Sequence, residues 1–139
     1  KVEPGASLVS DRFRAMEMLA ARGIHVGVAM MPVLPFIEDN AENITEIVKL
    51  THAHGGSFVF PWLGMSLRDR QRAYYYRKLD KLFPGLREQY QRTYGQRYHC
   101  PVPNADALWG MLRKTCERYG LETQLKHYEP DGPEQLQLF

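Results

Sequence analysis

Apolar residues recur at helical spacing through Leu8, Val9, Phe13, Met16, Leu19 and Ala20. That pattern predicts a helix over Ser7 to Ala21, with Ser7 as N-cap and Gly23 as the stop. The next run, Ile24-His25-Val26-Gly27-Val28-Ala29-Met30-Met31, is nearly all apolar and does not alternate. Such a run suits a strand covered on both faces, as in a parallel sheet, and Pro32 and Pro35 close it. Asn40 is placed to cap a second helix whose Ile44, Ile47, Val48 and Thr51 make one stripe. Gly55-Gly56 end it, and Ser57 to Leu63 read as a second buried strand. Strand, helix and strand at this spacing form a parallel βαβ unit. With the first helix in front, the order has the rhythm of a (β/α) barrel or an open doubly wound sheet.

From Ser66 the pattern changes. Arg68 to Leu82 and Leu86 to Tyr94 read as helices separated by Pro84-Gly85. Cys100-Pro101-Val102-Pro103 reads as a loop. Asn104 then caps a helix over Ala105 to Tyr119, with Leu108, Met111, Leu112 and Thr115 on one face and Gly120 at its end. Pro130, Asp131, Gly132 and Pro133 give residues 122–139 the composition of a flexible tail. The expected organisation is an α/β segment over 1–65, a helical region over 66–121 and the tail. Two strands cannot close a barrel, and a bare parallel edge invites pairing with another chain. Self-association is therefore expected of this segment in isolation. Lys1-Val2-Glu3-Pro4-Gly5 reads as the middle of a longer protein.

Composition narrows the class only a little. A 44% apolar chain of 139 residues is long enough for one real core. A formal charge of +2 does not by itself point to nucleic acid. Two cysteines in a chain with no secretory leader fit a reduced, cytoplasmic setting better than a disulfide framework. No apolar stretch approaches the roughly 18–20 residues a membrane span needs.

Local chemistry is concentrated after residue 60. Phe60, Trp62 and Met65 end the second strand and suit either a substrate cavity or the core. Between Arg68 and Arg97, cations outnumber acids and tyrosines interleave with them. Cations neutralise phosphates and aromatics stack on bases, so Arg70, Arg77 and Lys81 are candidate DNA contacts. The competing account is a pair of amphipathic helices with arginines toward water and tyrosines toward the core. His52 and His54, two apart on a helix, do not share a face and are poor joint metal ligands. His99-Cys100 suggests a reactive pair, against the default of a buried, inert thiol. No metal site is expected in this chain.

Glu3-Pro4, Asp11-Arg12 and the segment Gly23-Ile24 to Met31-Pro32-Val33-Leu34-Pro35 together resemble the second half of spore-photoproduct-lyase-like radical-SAM proteins. Ala53-His54-Gly55-Gly56, Leu82-Phe83-Pro84-Gly85, Tyr90 to Gly95 and Cys116 to Gly120 extend the resemblance over about residues 1–121. It implies the C-terminal portion of a partial (β/α) TIM-type barrel followed by a helical region. It also implies a parent enzyme that cleaves S-adenosylmethionine reductively at a 4Fe–4S cluster held by cysteines spaced C-x3-C-x2-C. Cys100 and Cys116 lack that spacing, so the cluster segment is absent here. The fragment alone is expected to be inactive and to bind neither cofactor.

By the same resemblance, Arg12 would pair with the S-adenosylmethionine carboxylate and Glu3 would hold ribose hydroxyls or position that arginine. Met31, Pro32 and Pro35 would wall the adenine. A link to DNA repair is implied. The alternatives are a radical-SAM enzyme acting on a peptide or small molecule, and a non-enzymatic adaptor. Finally, Gln135-Leu136-Gln137-Leu138-Phe139 resembles the peptide by which replication and repair proteins bind the DNA polymerase sliding clamp. In that reading Leu136, Leu138 and Phe139 supply the apolar contacts and Gln135 bonds at the rim.

Overall fold

A computed structural model of the protein describes residues 5–125. The described residues form a mixed α/β structure in which five helices pack around two small sheets, and neither sheet closes into a barrel. Helix α1 (Val9–Ala20) begins two residues later than the pattern predicts. Ser7 does not cap it: Leu8 occupies the N-cap position, and the Ser7 hydroxyl accepts from Arg12 Nε at 3.0 Å. Phe13 and Met16 form its buried stripe. Strands β1 (Gly27–Met30) and β2 (Phe58–Pro61) pair in parallel, Gly27 opposite Phe58 and Met30 opposite Pro61. Helix α2 (Ala41–Ala53) connects them. Asn40 caps it as expected, its Oδ1 accepting from the Asn43 N–H at 2.8 Å.

Each strand is half the length of its apolar run, since a ladder extends only as far as its partner. Gly27 is required where it stands. A Cβ there would run into the carbonyl and ring of Phe58, so glycine lets the two backbones pair beneath that ring.

Strand β3 (Gly64–Ser66) and strand β4 (His99–Pro101) form an antiparallel ribbon. The segment expected as a loop is thus a short strand; Pro101 is accommodated because it ends a two-stranded ribbon. Helices α3 (Asp69–Leu82) and α4 (Leu86–Tyr94) fold over the ribbon's inner face. Helix α5 (Ala105–Tyr119) returns to the parallel sheet. Gly120 turns left-handed at φ 65°, and the Leu121 N–H closes on the Cys116 carbonyl at 2.9 Å. The chain then runs along β2: the Val59 N–H donates to the Glu122 carbonyl at 2.8 Å, and the Glu122 N–H donates to the Ser57 carbonyl at 3.0 Å. Helices α3 and α4 pack over the ribbon, whereas α5 packs with the parallel sheet.

Two cores result. In the first, Ile44 and Val48 of α2, Val59 of β2, and Leu112 and Cys116 of α5 are fully buried on one face of the parallel sheet. In the second, Met65, Leu67, Tyr75, Tyr76, Leu79, Tyr90, Tyr94 and Cys100 pack between the ribbon and α3–α4. The loop after β1 joins them. Its Pro35 is fully buried, and Leu34, Phe36 and Ile37 pack against the second core. Among the described residues no helix is long and apolar enough to cross a membrane.

The second core is bonded through phenols. Tyr90 donates to the Pro35 carbonyl at 2.6 Å and meets the Tyr75 hydroxyl at 3.0 Å, and Tyr94 donates to the Pro101 carbonyl at 2.5 Å. Burial pushes Tyr75 and Tyr94 each up to about 12 and raises Tyr90 further. An unfolded tyrosine ionises near 10, so between pH 10 and 12 the unfolded chain loses these protons first and folding weakens as pH rises. Stability is expected to be flat up to about pH 10 and to fall steeply above it. A urea titration at stepped pH, read beside tyrosinate absorbance, checks this. Tyrosinate signal that develops fully before unfolding would contradict it.

Candidate functional site

The carboxyl ends of parallel strands are where α/β proteins place ligands. Here those ends are tied to each other: the Trp62 N–H donates to the Met30 carbonyl at 3.0 Å, and the Val33 N–H donates to the Trp62 carbonyl at 3.2 Å. Met31 and Trp62 remain 39% and 38% exposed, an unusual state for large apolar residues at adjacent strand ends. Pro32 is also exposed, and Phe60 is half-buried.

Other expected members of the site lie elsewhere. Pro35 is buried against the second core, and its carbonyl already accepts from Tyr90. Met65 is a core residue whose Sδ sits 3.8 Å from the Tyr90 hydroxyl. Arg12 is exposed, with its Nε bonded to Ser7 at the start of its own helix. Glu3, Gln135, Leu136, Leu138 and Phe139 lie outside the described residues. Shallow hollows of about 450 and 440 Å³ along and after α5 contain none of these residues.

The cysteines do not suit an iron–sulfur cluster. Cys100 and Cys116 are both buried, and they sit in different cores. Burial pushes the Cys116 thiol up to about 11 and also raises Cys100, so both are held as thiols rather than thiolates. Among the described residues no three His, Cys, Asp or Glu side chains form a metal-binding group. Neither cysteine is expected to react with Ellman's reagent at pH 8 until the protein unfolds, after which both react. Rapid labelling of the folded protein would contradict that.

The most developed polar surface is on α3. Arg72, Tyr75, Tyr76 and Leu79 form its buried stripe. The opposite face carries Arg70, Tyr74, Arg77 and Lys81, all exposed, at the i, i+4, i+7 and i+11 spacing of a single ridge about 16 Å long. Lys78 Nζ stands 5.5 Å from the Tyr74 ring centre. Asp80 is engaged by Arg87 at 2.8 Å. The structure thus brings the three expected DNA contacts onto one face.

A second exposed surface lies on the outer side of the ribbon. Trp62 and His99 stack with ring centres 5.7 Å apart and planes within 4°. Ser66 pairs in register with His99, and the Arg68 guanidinium lies 6.0 Å from the centre of the Tyr98 ring. The sequence counts Arg68 and Tyr98 only within a basic, tyrosine-rich span and pairs His99 with Cys100 rather than with Trp62, because a ribbon with only three paired residues per strand leaves little periodic signal. Compared with family models, with curated proteins and with solved structures, the chain finds no match.

Proposed function

We propose that this chain is the distal part of a radical-SAM enzyme's (β/α) barrel, with α3 and α4 as an added helical layer. The observation that carries the reading is the parallel β1–α2–β2 unit continued by α5 to the edge of β2 at Glu122. Among the described residues no strand pairs with the other edge of β1, as an excised barrel segment requires. The strand ends carry exposed Met31, Pro32 and Trp62, which would form part of a cavity mouth. The 4Fe–4S cluster and S-adenosylmethionine supply the radical chemistry of such enzymes, and this chain contributes wall rather than cluster ligands. Left alone, it would self-associate through the edge of β1.

The test begins upstream of the Lys1 codon. An in-frame C-x3-C-x2-C segment, together with 5′-deoxyadenosine formation by the anaerobically reconstituted parent, supports the assignment. A parent without those cysteines ends it and leaves the adaptor reading, in which the C-terminal Gln135–Phe139 peptide binds the sliding clamp. A polarisation titration of that peptide against the clamp tests the adaptor reading separately.

The ridge on α3 favours DNA as the partner of the parent, in keeping with a repair role. Reversing charge at Arg70, Arg77 and Lys81 together is expected to weaken duplex binding strongly. It should also flatten the dependence of log affinity on log salt by up to about 2.7, near 0.9 for each phosphate no longer neutralised. Unchanged affinity would make the ridge a solvated face and leave a peptide or small-molecule substrate as the better account.

A further inference from the structure

We infer that the outer face of the β3–β4 ribbon is a stacking platform for single-stranded nucleic acid. It seats one base on Trp62 and another on Tyr98, with Arg68 at the adjoining phosphate. The inference shares its class of partner with the reading of the α3 ridge but rests on different residues and different physics.

The ribbon has two unlike faces. Met65 and Cys100 point inward to the second core, while Ser66 and His99, paired in register, point outward. From this outward pair the surface extends both ways. Toward one end His99 lies flat on Trp62. Toward the other, Tyr98 precedes His99 in the chain, and the Arg68 guanidinium lies over its ring at 6.0 Å from the centre. Trp62 is 38% and Tyr98 54% exposed. No Asp or Glu belongs to this strip; Asp69 follows Arg68 as the first residue of α3.

Three features decide the occupant. First, each large ring already has a neighbour against it, Trp62 the His99 ring and Tyr98 the Arg68 guanidinium. A base arriving on the open side therefore meets a fixed surface and orders little of the protein. Second, every base has a π-face, so two rings and a guanidinium bind strands with little regard to sequence. Third, bases in a duplex are stacked on each other and cannot lie on side chains at the surface, so the platform selects unpaired strands. An acidic peptide would satisfy Arg68 but would leave the flat faces of Trp62 and Tyr98 unused.

The test uses the intact chain and fluorescence anisotropy of labelled oligonucleotides about 12 nucleotides long, within the range one small domain contacts. The probes are oligo-dT, oligo-U and a blunt duplex of the same length. We expect either single strand to bind at least tenfold more tightly than the duplex at equal salt, and the dT and U arms to show whether the DNA or the RNA strand is preferred. Trp62→Ala and Tyr98→Ala are each expected to weaken single-strand binding about fivefold to a hundredfold, as removal of one stacked base does. Both rings are surface-exposed, so far-ultraviolet circular dichroism should be unchanged.

The triple charge reversal on α3 separates the two readings. It should weaken single strand and duplex alike, whereas ring removal should weaken the single strand only. Equal binding of single strand and duplex, indifference to removal of both rings, or equal competition by poly-glutamate would each overturn the platform. None of those results would touch the barrel assignment.

Discussion

Replacing Arg72 by alanine is expected to destabilise the protein by at least about 3 kcal/mol, a large part of what holds a domain of this size together. The reason lies in its partners. Arg72 is 6% exposed, and its terminal nitrogens donate to the carbonyls of Leu67, Gly95, Gln96 and Arg97 at 2.7 to 3.2 Å. Those four carbonyls come from the entry to α3 and from the turn leading into β4. One side chain therefore closes the ribbon's far end, and its removal leaves several acceptors without donors at about 1–3 kcal/mol for a buried group. Arg72→Lys should recover little, because an ammonium is a point donor and cannot span a fan of acceptors that a planar fork reaches. Urea denaturation gives the stability change, and amide exchange at residues 95–98 locates it. A destabilisation below about 1 kcal/mol for alanine would mean that water already satisfies the turn.

Tyr90→Phe is the second large effect, expected at about 2–3 kcal/mol despite conserving shape. The deleted hydroxyl is the donor to Pro35 and the partner of Tyr75, both in a region without solvent. A double-mutant cycle makes the expectation specific. Tyr75→Phe alone leaves the bond to Pro35 intact and should cost about 1 kcal/mol. Combined with Tyr90→Phe it should cost less than the sum, since Tyr75→Phe removes the very hydroxyl that Tyr90→Phe would leave without a partner. Strict additivity would show that the two phenols do not act together.

Much of the secondary structure is legible in the residues. Asn40 before Ile44, Ile47 and Val48 gives a capped amphipathic helix, and Pro84-Gly85 separates α3 from α4 as expected. The mismatches have a common cause. Strand length depends on a partner, so an apolar run of eight becomes a strand of four, and His99–Pro101 becomes a strand only because Gly64–Ser66 lies beside it. The basic ridge is legible because Arg70, Arg77 and Lys81 share helical spacing. The same spacing places Arg72 with Tyr75, Tyr76 and Leu79, a sign of burial that a count of cations conceals. Pro35 reads as part of a strand-end wall, and nothing local to it shows that Tyr90 takes its carbonyl.

The bond between Tyr90 and Pro35 has a consequence for biosynthesis. Its two ends are separated by 55 residues. A nascent chain emerging in order therefore presents the β1–α2 connection long before the side chain that fixes it has been made. Val48 waits longer still for Leu112 of α5. Both cores depend on residues made late, so the first half of the chain has no resting place of its own. Vectorial synthesis delays the decisive pairings until α5 has left the ribosome.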